Sequence, residues 1–281
     1  MLWRGRGESS NVEDRRGFKT AGAVGGGTII IAIIYALLGG DPNVVLNNAA
    51  QKTSTTEQRT VPDDDNSKFV KVVLKDTEDV WNKVFAAQSR TYSEPSLVLF
   101  TDRVDSACGT AGSSVGPFYC PMDQKVYLDT SFFSEMSNRL GAKGDFAQAY
   151  VIAHEVGHHV QNLYGISEQM QSKRSSMSKT DFNRESVKLE LQADCLAGIW
   201  AKDTNQMHQT LEEGDVEEAM NAASAVGDDK LQKASRGYVV PDSFTHGSSA
   251  QRMAAFNQGF SSGSLTSCKL SGGGQPLNAT R

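Results

Sequence analysis

The alternation of apolar and polar positions divides this chain into stretches of different character. Residues 1–20 are polar and charged. Residues 21–40 carry no charged side chain, and Thr28 to Leu38 is strongly apolar. Residues 41–66 turn polar again, rich in Asn, Asp, Gln and Thr, and end near Pro62-Asp63-Asp64-Asp65. Such a composition predicts a linker rather than packed structure. Periodic patterns then run from about residue 67 to 262, followed by a Gly/Ser-rich tail over 263–281.

Within the periodic region, Phe69, Val72, Val73, Val80, Trp81, Val84 and Phe85 recur at helical spacing and predict a helix over 64–87. Ser96 to Phe100 and Lys125 to Asp129 read as strands. Gly116 to Cys120 reads as a short edge strand interrupted by Pro117. Phe146, Ala149, Tyr150, Ile152, Ala153, Val156, Val160 and Leu163 largely follow a 3.6-residue period, closed by Gly165. Beyond residue 130 the pattern is helical almost throughout, with breaks near Gly165, Ser178, Gly214, Gly227 and Pro241. The expected class is α+β: a mainly helical domain over 67–262 with a small sheet.

A helix of twenty residues spans about 30 Å, the thickness of a bilayer's hydrocarbon core. Residues 21–40 therefore predict one transmembrane helix. Arg4, Arg6, Arg15, Arg16 and Lys19 precede it, whereas Asp41 and Lys52 are the first charges after it. The positive-inside rule then makes 1–20 a cytoplasmic head and places the domain outside, in the periplasm or at the cell surface. A cleaved signal peptide and a buried core helix are the competing readings; no A-x-A site closes the run, and its first half is glycine-rich.

The four cysteines fit export. Cys108 and Cys120 flank a Gly/Ser-rich stretch and form one candidate disulfide, leaving Cys195 and Cys268 as the other. Four reduced thiols are the alternative; no C-x-x-C spacing supports a cysteine-ligated zinc. A net charge of −5 over 281 residues, without a basic stripe, argues against nucleic acid as a partner.

The chemistry centres on His154-Glu155-Val156-Gly157-His158. Two histidines four apart on a helix lie about 40° from each other around its axis, so both imidazoles reach one metal ion. The intervening glutamate stands where a general base for a bound water is needed. One catalytic Zn²⁺ is the expected cofactor, and it requires a third protein ligand. Glu190 is the candidate, in a second helix over about 183–203, with Asp194 one turn later placed to accept the free ring N–H of a ligand histidine. A solvated acidic face is the alternative, and Glu185 is the rival ligand. His159 points about 100° from His158 and is not expected to bind the metal; His208 is expected to be solvated.

The H-E-x-x-H at 154–158 followed by Glu190-Leu191-Gln192-Ala193-Asp194 resembles the paired motifs of gluzincin-type membrane peptidases. Trp3-Arg4-Gly5-Arg6, Asn11 to Arg16, the apolar run and Gly116 to Pro121 together resemble the neutral zinc metallopeptidase family over nearly the full chain. The resemblance implies a zincin-like fold in which the helix over 146–164 lies beneath a small sheet, with Gly116 to Cys120 as the strand bordering the cleft. It also implies that Thr245-His246-Gly247-Ser248, with Arg252 further on, matches a late His and Arg motif, although Gly247 stands where proline is common. His246 would then hydrogen-bond the oxyanion of the reaction; a surface loop histidine is the alternative.

The expected function is that of a membrane-anchored zinc metalloendopeptidase acting on exported or envelope proteins, with Glu155 as base. Two other functions compete. One is a zinc-stabilised, membrane-tethered binding or chaperone module without turnover. The other is hydrolysis of a non-peptide amide.

Overall fold

The computed structural model describes residues 1–16 and 64–268. The expected transmembrane helix at 21–40, nearly all of the linker and the end of the tail lie outside the described residues. Among the described residues no helix is long and apolar enough to cross a membrane.

The fold is α+β, mainly helical with a small sheet. Val12–Asp14 forms β1. Asp65–Ala86 forms α1, whose N-terminus is capped by Asp64 accepting from the Ser67 amide at 2.8 Å. Its apolar face, with Phe69, Val73, Val80, Trp81 and Phe85, is buried as the spacing predicts. Ser96–Phe100 (β2) follows, then a hairpin of Arg103–Ser106 (β3) and Gly109–Gly112 (β4), then Phe118–Cys120 (β5) and Lys125–Asp129 (β6). The main sheet has the order β1-β2-β6-β5, parallel except for β5, which runs antiparallel to β6. β5 is thus an edge strand, as expected.

Two boundaries differ from expectation. Residues 1–16 do not form a separate head. They supply β1, paired in register with Leu97, Val98 and Leu99, and Trp3 packs edge-on to Phe69 at 5.5 Å. The polar segment adds a strand because its backbone meets the open edge of β2, a non-local pairing that leaves no periodic trace in three residues. The tail also begins later than residue 263. Cys268 is buried in a disulfide with Cys195, and its carbonyl accepts from Gln192 Nε2 at 3.1 Å. The other disulfide joins Cys108 to Cys120, tying the β3–β4 hairpin to the edge strand.

The helical layer comprises Ser131–Asn138 (α2), Asp145–Leu163 (α3), Ile166–Lys173 (α4), Lys179–His208 (α5), Asp215–Ala225 (α6), Asp228–Arg236 (α7) and Ser249–Ser262 (α8). α3 is the central helix, buried over most of its length. Its first turn has no side-chain cap of its own; Glu218 of α6 accepts from the Phe146 amide at 3.1 Å instead. Gly144 makes room for that carboxylate, since a Cβ there would fall 1.9 Å from it.

α5 extends beyond the expected 183–203 at both ends, because Ser178 caps its start and Gln209, in the left-handed conformation, closes its end. Glycines set how closely α5 meets its neighbours. A Cβ on Gly157 of α3 would lie 3.0 Å from the Ala193 carbonyl oxygen, and one on Gly259 of α8 would lie 1.8 Å from that of Cys195. The sheet and the α3, α5 and α8 helices therefore bring three distant parts of the chain to one point.

Candidate metal centre

His154 and His158 occupy one turn of α3, and their rings meet at right angles with centroids 4.8 Å apart. Glu190 faces them from α5. Its Oε2 lies 3.2 Å from His154 Nε2 and its Oε1 lies 3.6 Å from His158 Nε2. Zinc–ligand distances of about 2.0–2.1 Å at tetrahedral angles separate ligand atoms by about 3.3 Å, so this spacing suits one ion. The three residues form a group whose donor atoms all lie within 4.8 Å of one another. The donor set, two imidazoles and one carboxylate with no fourth protein ligand among the described residues, fits a catalytic zinc with an open position.

The far side of each imidazole is held. His154 Nδ1 lies 2.8 Å from Asp194 Oδ1, the bond expected from the i, i+4 pairing with Glu190. A carboxylate only accepts, so the ring carries its proton on Nδ1 and presents Nε2 to the metal. His158 Nδ1 lies 2.9 Å from Gln161 Oε1. Gln161 Nε2 donates to Leu189 O at 2.7 Å and to Gln192 Oε1 at 3.0 Å, which orients its carbonyl toward His158. Gln161 stands three residues after His158, on the same helix face, and that spacing is the signal by which the sequence could have identified it.

Asp194 is itself anchored. Arg252 of α8 donates to its two oxygens, and Tyr150, one turn before His154, donates a third bond at 2.5 Å. Arg252 carries the late arginine expected from the motif. Its reach to Asp194 across 58 residues has no local signature.

The electrostatics follow from burial and pairing. In the absence of a cation, burial disfavours a charged His154, but the Asp194 and Glu190 carboxylates outweigh it and raise its pKa to about 9. Burial also opposes the charge of Asp194, yet Arg252 and His154 hold its carboxyl down at about 2. Glu190 is held well below the usual carboxylate range, chiefly by His158 and His154 against the cost of burial. The site therefore keeps its carboxylates ionised and attracts positive charge, either protons or a metal ion.

Glu155 is buried at 8% exposure, and among the described residues its carboxylate has no hydrogen-bond or ion-pair partner. It lies close enough to His158 to favour that ring's protonated form. His246 faces the site from the loop before α8. Its ring is half exposed; partial desolvation opposes its protonation, but the hydrogen bond to Asp228 and the field of Glu190 raise its pKa. Asp228 holds it through Nδ1 at 3.2 Å and accepts from the backbone amides of Thr245, His246 and Gly247 at 2.7–3.0 Å. Gly247 adopts φ +98°, which proline cannot, so this loop takes its own path where the resembled motif has proline.

The remaining candidates fall elsewhere. Glu185 pairs with Lys188 at 2.5 Å and is not among the converging donors. His159 is buried between the Tyr119 hydroxyl, 2.9 Å from Nδ1, and Ser93 O, 2.6 Å from Nε2; burial pushes its pKa down to about 4. It joins the edge strand to α3 instead of binding metal. His208 is not simply solvated, since Nε2 lies 3.5 Å from Asp79. A second acidic group, Asp145, Asp215 and Glu218, faces the Met1 ammonium, 2.5 Å from Asp145 and 3.3 Å from Asp215.

Comparison with known proteins agrees with this geometry. The chain is 44% identical to the uncharacterized protein YpfJ of Escherichia coli strain K12, over 97% of this chain and 99% of that one. It is 38% identical to the uncharacterized protein Mb2605 of Mycobacterium bovis, over 72% of this chain and 71% of that one. No solved structure matches it. The sequence pattern of one family matches residues 1–270, spanning the head, the α3 and α5 helices and the disulfide at Cys268; the chain belongs to that family, described as "Putative neutral zinc metallopeptidase".

Proposed function

We propose that this protein is a zinc-dependent metalloendopeptidase that hydrolyses peptide bonds of exported or envelope proteins. The observation that carries this reading is the convergence of His154, His158 and Glu190 at metal-ligand spacing beside a buried Glu155 that has no hydrogen-bond or ion-pair partner among the described residues.

A zinc ion held there would polarise the scissile carbonyl and lower the pKa of a bound water toward neutrality. The chain's own residues do the rest. Glu155 takes the proton of the attacking water and delivers it to the leaving amine. His246, oriented by Asp228, hydrogen-bonds the oxygen that gains charge as the carbonyl becomes tetrahedral. The free edge of β5 pairs with an extended substrate backbone, with Tyr119, His159 and Asn162 holding that strand against α3. Two disulfides support an oxidising compartment outside the cytoplasm as the place of action.

The test is Glu155→Gln in the full-length protein, assayed for bound zinc and for casein cleavage. The expected result is zinc retained at one ion per chain with cleavage lost. Retained cleavage would overturn the assignment of the base. Wild-type protein that binds zinc but cleaves no peptide would favour a binding module or a non-peptide amide.

A further inference from the structure

A chain that crosses a bilayer once places the residues flanking its span about 30 Å apart, on opposite faces. Here Arg16 and Asp64, the described residues on either side of the stretch that holds the apolar run and the linker, touch. Arg16 Nη1 lies 2.9 Å from Asp64 Oδ2, while Arg16 Nη2 bonds Asp14 at 2.6 Å, and the Arg16 side chain is only 8% exposed. Its carbonyl accepts from Thr101 Oγ1 at 2.9 Å. Residues 16 and 64 therefore meet at one point of the folded body.

The contact is one end of a continuous interface. Leu97 donates to Asn11 O and Arg15 donates to Leu99 O, both at 2.8 Å, as β1 pairs with β2. The Ser9 amide donates to Lys71 O at 3.0 Å, and the Leu2 amide to Thr210 O at 2.7 Å. Arg6 grips Asp76 with two bonds, at 2.7 and 2.5 Å. Ser9 and Asn11 both donate to Glu78, at 2.5 and 2.8 Å. Asp76 and Glu78 sit on α1 with 1% and 3% exposure. Without residues 1–16, Asp76 would lose its arginine and Glu78 would lose both of these donors, an unfavourable state for buried carboxylates.

The same segment accounts for the four arginines of the basic cluster. Arg4 pairs with Asp65, Arg6 with Asp76, Arg15 with Glu13 and Arg16 with Asp14 and Asp64. Of the charges that read as a cytoplasmic retention signal, Arg4, Arg6 and Arg16 pair with carboxylates of the body and Arg15 with a neighbour in its own strand segment.

We propose that residues 1–16 and 64–268 lie on the same side of any membrane that residues 21–40 enter, so that the chain is not a single-pass protein with its N-terminus and its metal site in different compartments. The docking surface formed by α1 and the edge of β2 has one occupant, the chain's own first sixteen residues. Their place in the sheet covers the edge opposite β5 and leaves β5 as the open one.

The experiment uses the full-length chain expressed in a Gram-negative host. Leu2→Cys and Met122→Cys, at positions 55% and 74% exposed, are labelled with a membrane-impermeant maleimide in intact spheroplasts and after permeabilisation. The native cysteines are paired and do not react. Detergent-solubilised protein supplies the reference for full labelling. The expected result is that both positions label in the same condition, with protected fractions within about twofold. Opposite patterns, one position labelled before and the other only after permeabilisation, would overturn the proposal. A second measurement checks the docking itself. Arg6→Asp and Asp76→Arg should each increase cleavage of the full-length chain by an added protease, and the double variant should reverse most of that increase. Single variants as resistant as wild type would show that the head is not docked.

Discussion

Arg252 and Asp194 form a buried two-point ion pair behind the metal centre. Arg252 Nε lies 2.8 Å from one carboxylate oxygen and Nη2 lies 2.9 Å from the other, with the two side chains 5% and 0% exposed. This pair connects α8 to His154 on α3, so the orientation of a candidate metal ligand depends on a residue 98 positions away.

Removing the guanidinium leaves a buried carboxylate without its cation. Arg252→Met should destabilise the fold by about 3–5 kcal/mol. Asp194→Asn should weaken zinc binding by about 10- to 100-fold, because the amide no longer enforces the Nδ1-protonated form of His154. Urea unfolding of the first variant and competition of the second against a chromophoric chelator check the two effects. An Asp194→Asn protein that binds zinc like wild type would remove Asp194 from the site.

The approach of α5 to α8 depends on Gly259, where a Cβ would fall 1.8 Å from the Cys195 carbonyl oxygen. Alanine is intrinsically better in a helix by about 1 kcal/mol. Gly259→Ala should nevertheless destabilise by about 1–3 kcal/mol, since two backbones must separate. Thermal unfolding measures the net sign, and a stabilised variant would refute the close approach.

Asp76 provides a pH test remote from the metal. Burial raises its pKa to about 6 from 3.8, more than Arg6 lowers it. The folded state therefore binds a proton more tightly than the unfolded one between these values, and this group's contribution to stability declines as pH rises from about 4 through 6. The loss is roughly 3 kcal/mol at pH 7. Asp76→Asn does not titrate, so its stability relative to wild type should rise by up to that amount between pH 4 and pH 7. Denaturant unfolding of both proteins at the two pH values gives the difference; a difference independent of pH would contradict the burial of a charged Asp76.

The two disulfides close loops of unequal length, with sequence separations of 73 for Cys195–Cys268 and 12 for Cys108–Cys120. Loop-closure entropy puts their contributions at about 4 and about 3 kcal/mol. Cys268→Ser should lower the unfolding midpoint more than Cys108→Ser. The latter, which frees the hairpin beside β5, should instead raise KM for a peptide substrate at little cost in kcat. An unchanged KM would separate that strand from substrate binding.

Local spacing was sufficient for much of this protein. His154 and His158 at i, i+4 placed two imidazoles on one side of a helix, and the apolar stripe of 146–163 marked that helix as buried. Glu190 and Asp194, again at i, i+4, both face that turn from the second helix, Glu190 beside the two Nε2 atoms and Asp194 beside His154 Nδ1. The placement of these side chains could be read this way because a helix converts sequence separation directly into direction. Tertiary structure decided the rest, because it depends on which distant backbones meet. Nothing local in Val12-Glu13-Asp14 marks a strand, since the partner that makes it one is β2, more than eighty residues away. Gln161 was within reach of a spacing argument, but Asp228 behind His246 was not, and neither was Arg252 behind Asp194; those pairings exist only once α7 and α8 pack on the body. The sequence by itself determined which imidazoles and carboxylates share a helix face and the helices that display them. Only the folded structure decided that the first sixteen residues complete the sheet, because a polar segment acquires a conformation there from hydrogen bonds and ion pairs that its own sequence does not contain.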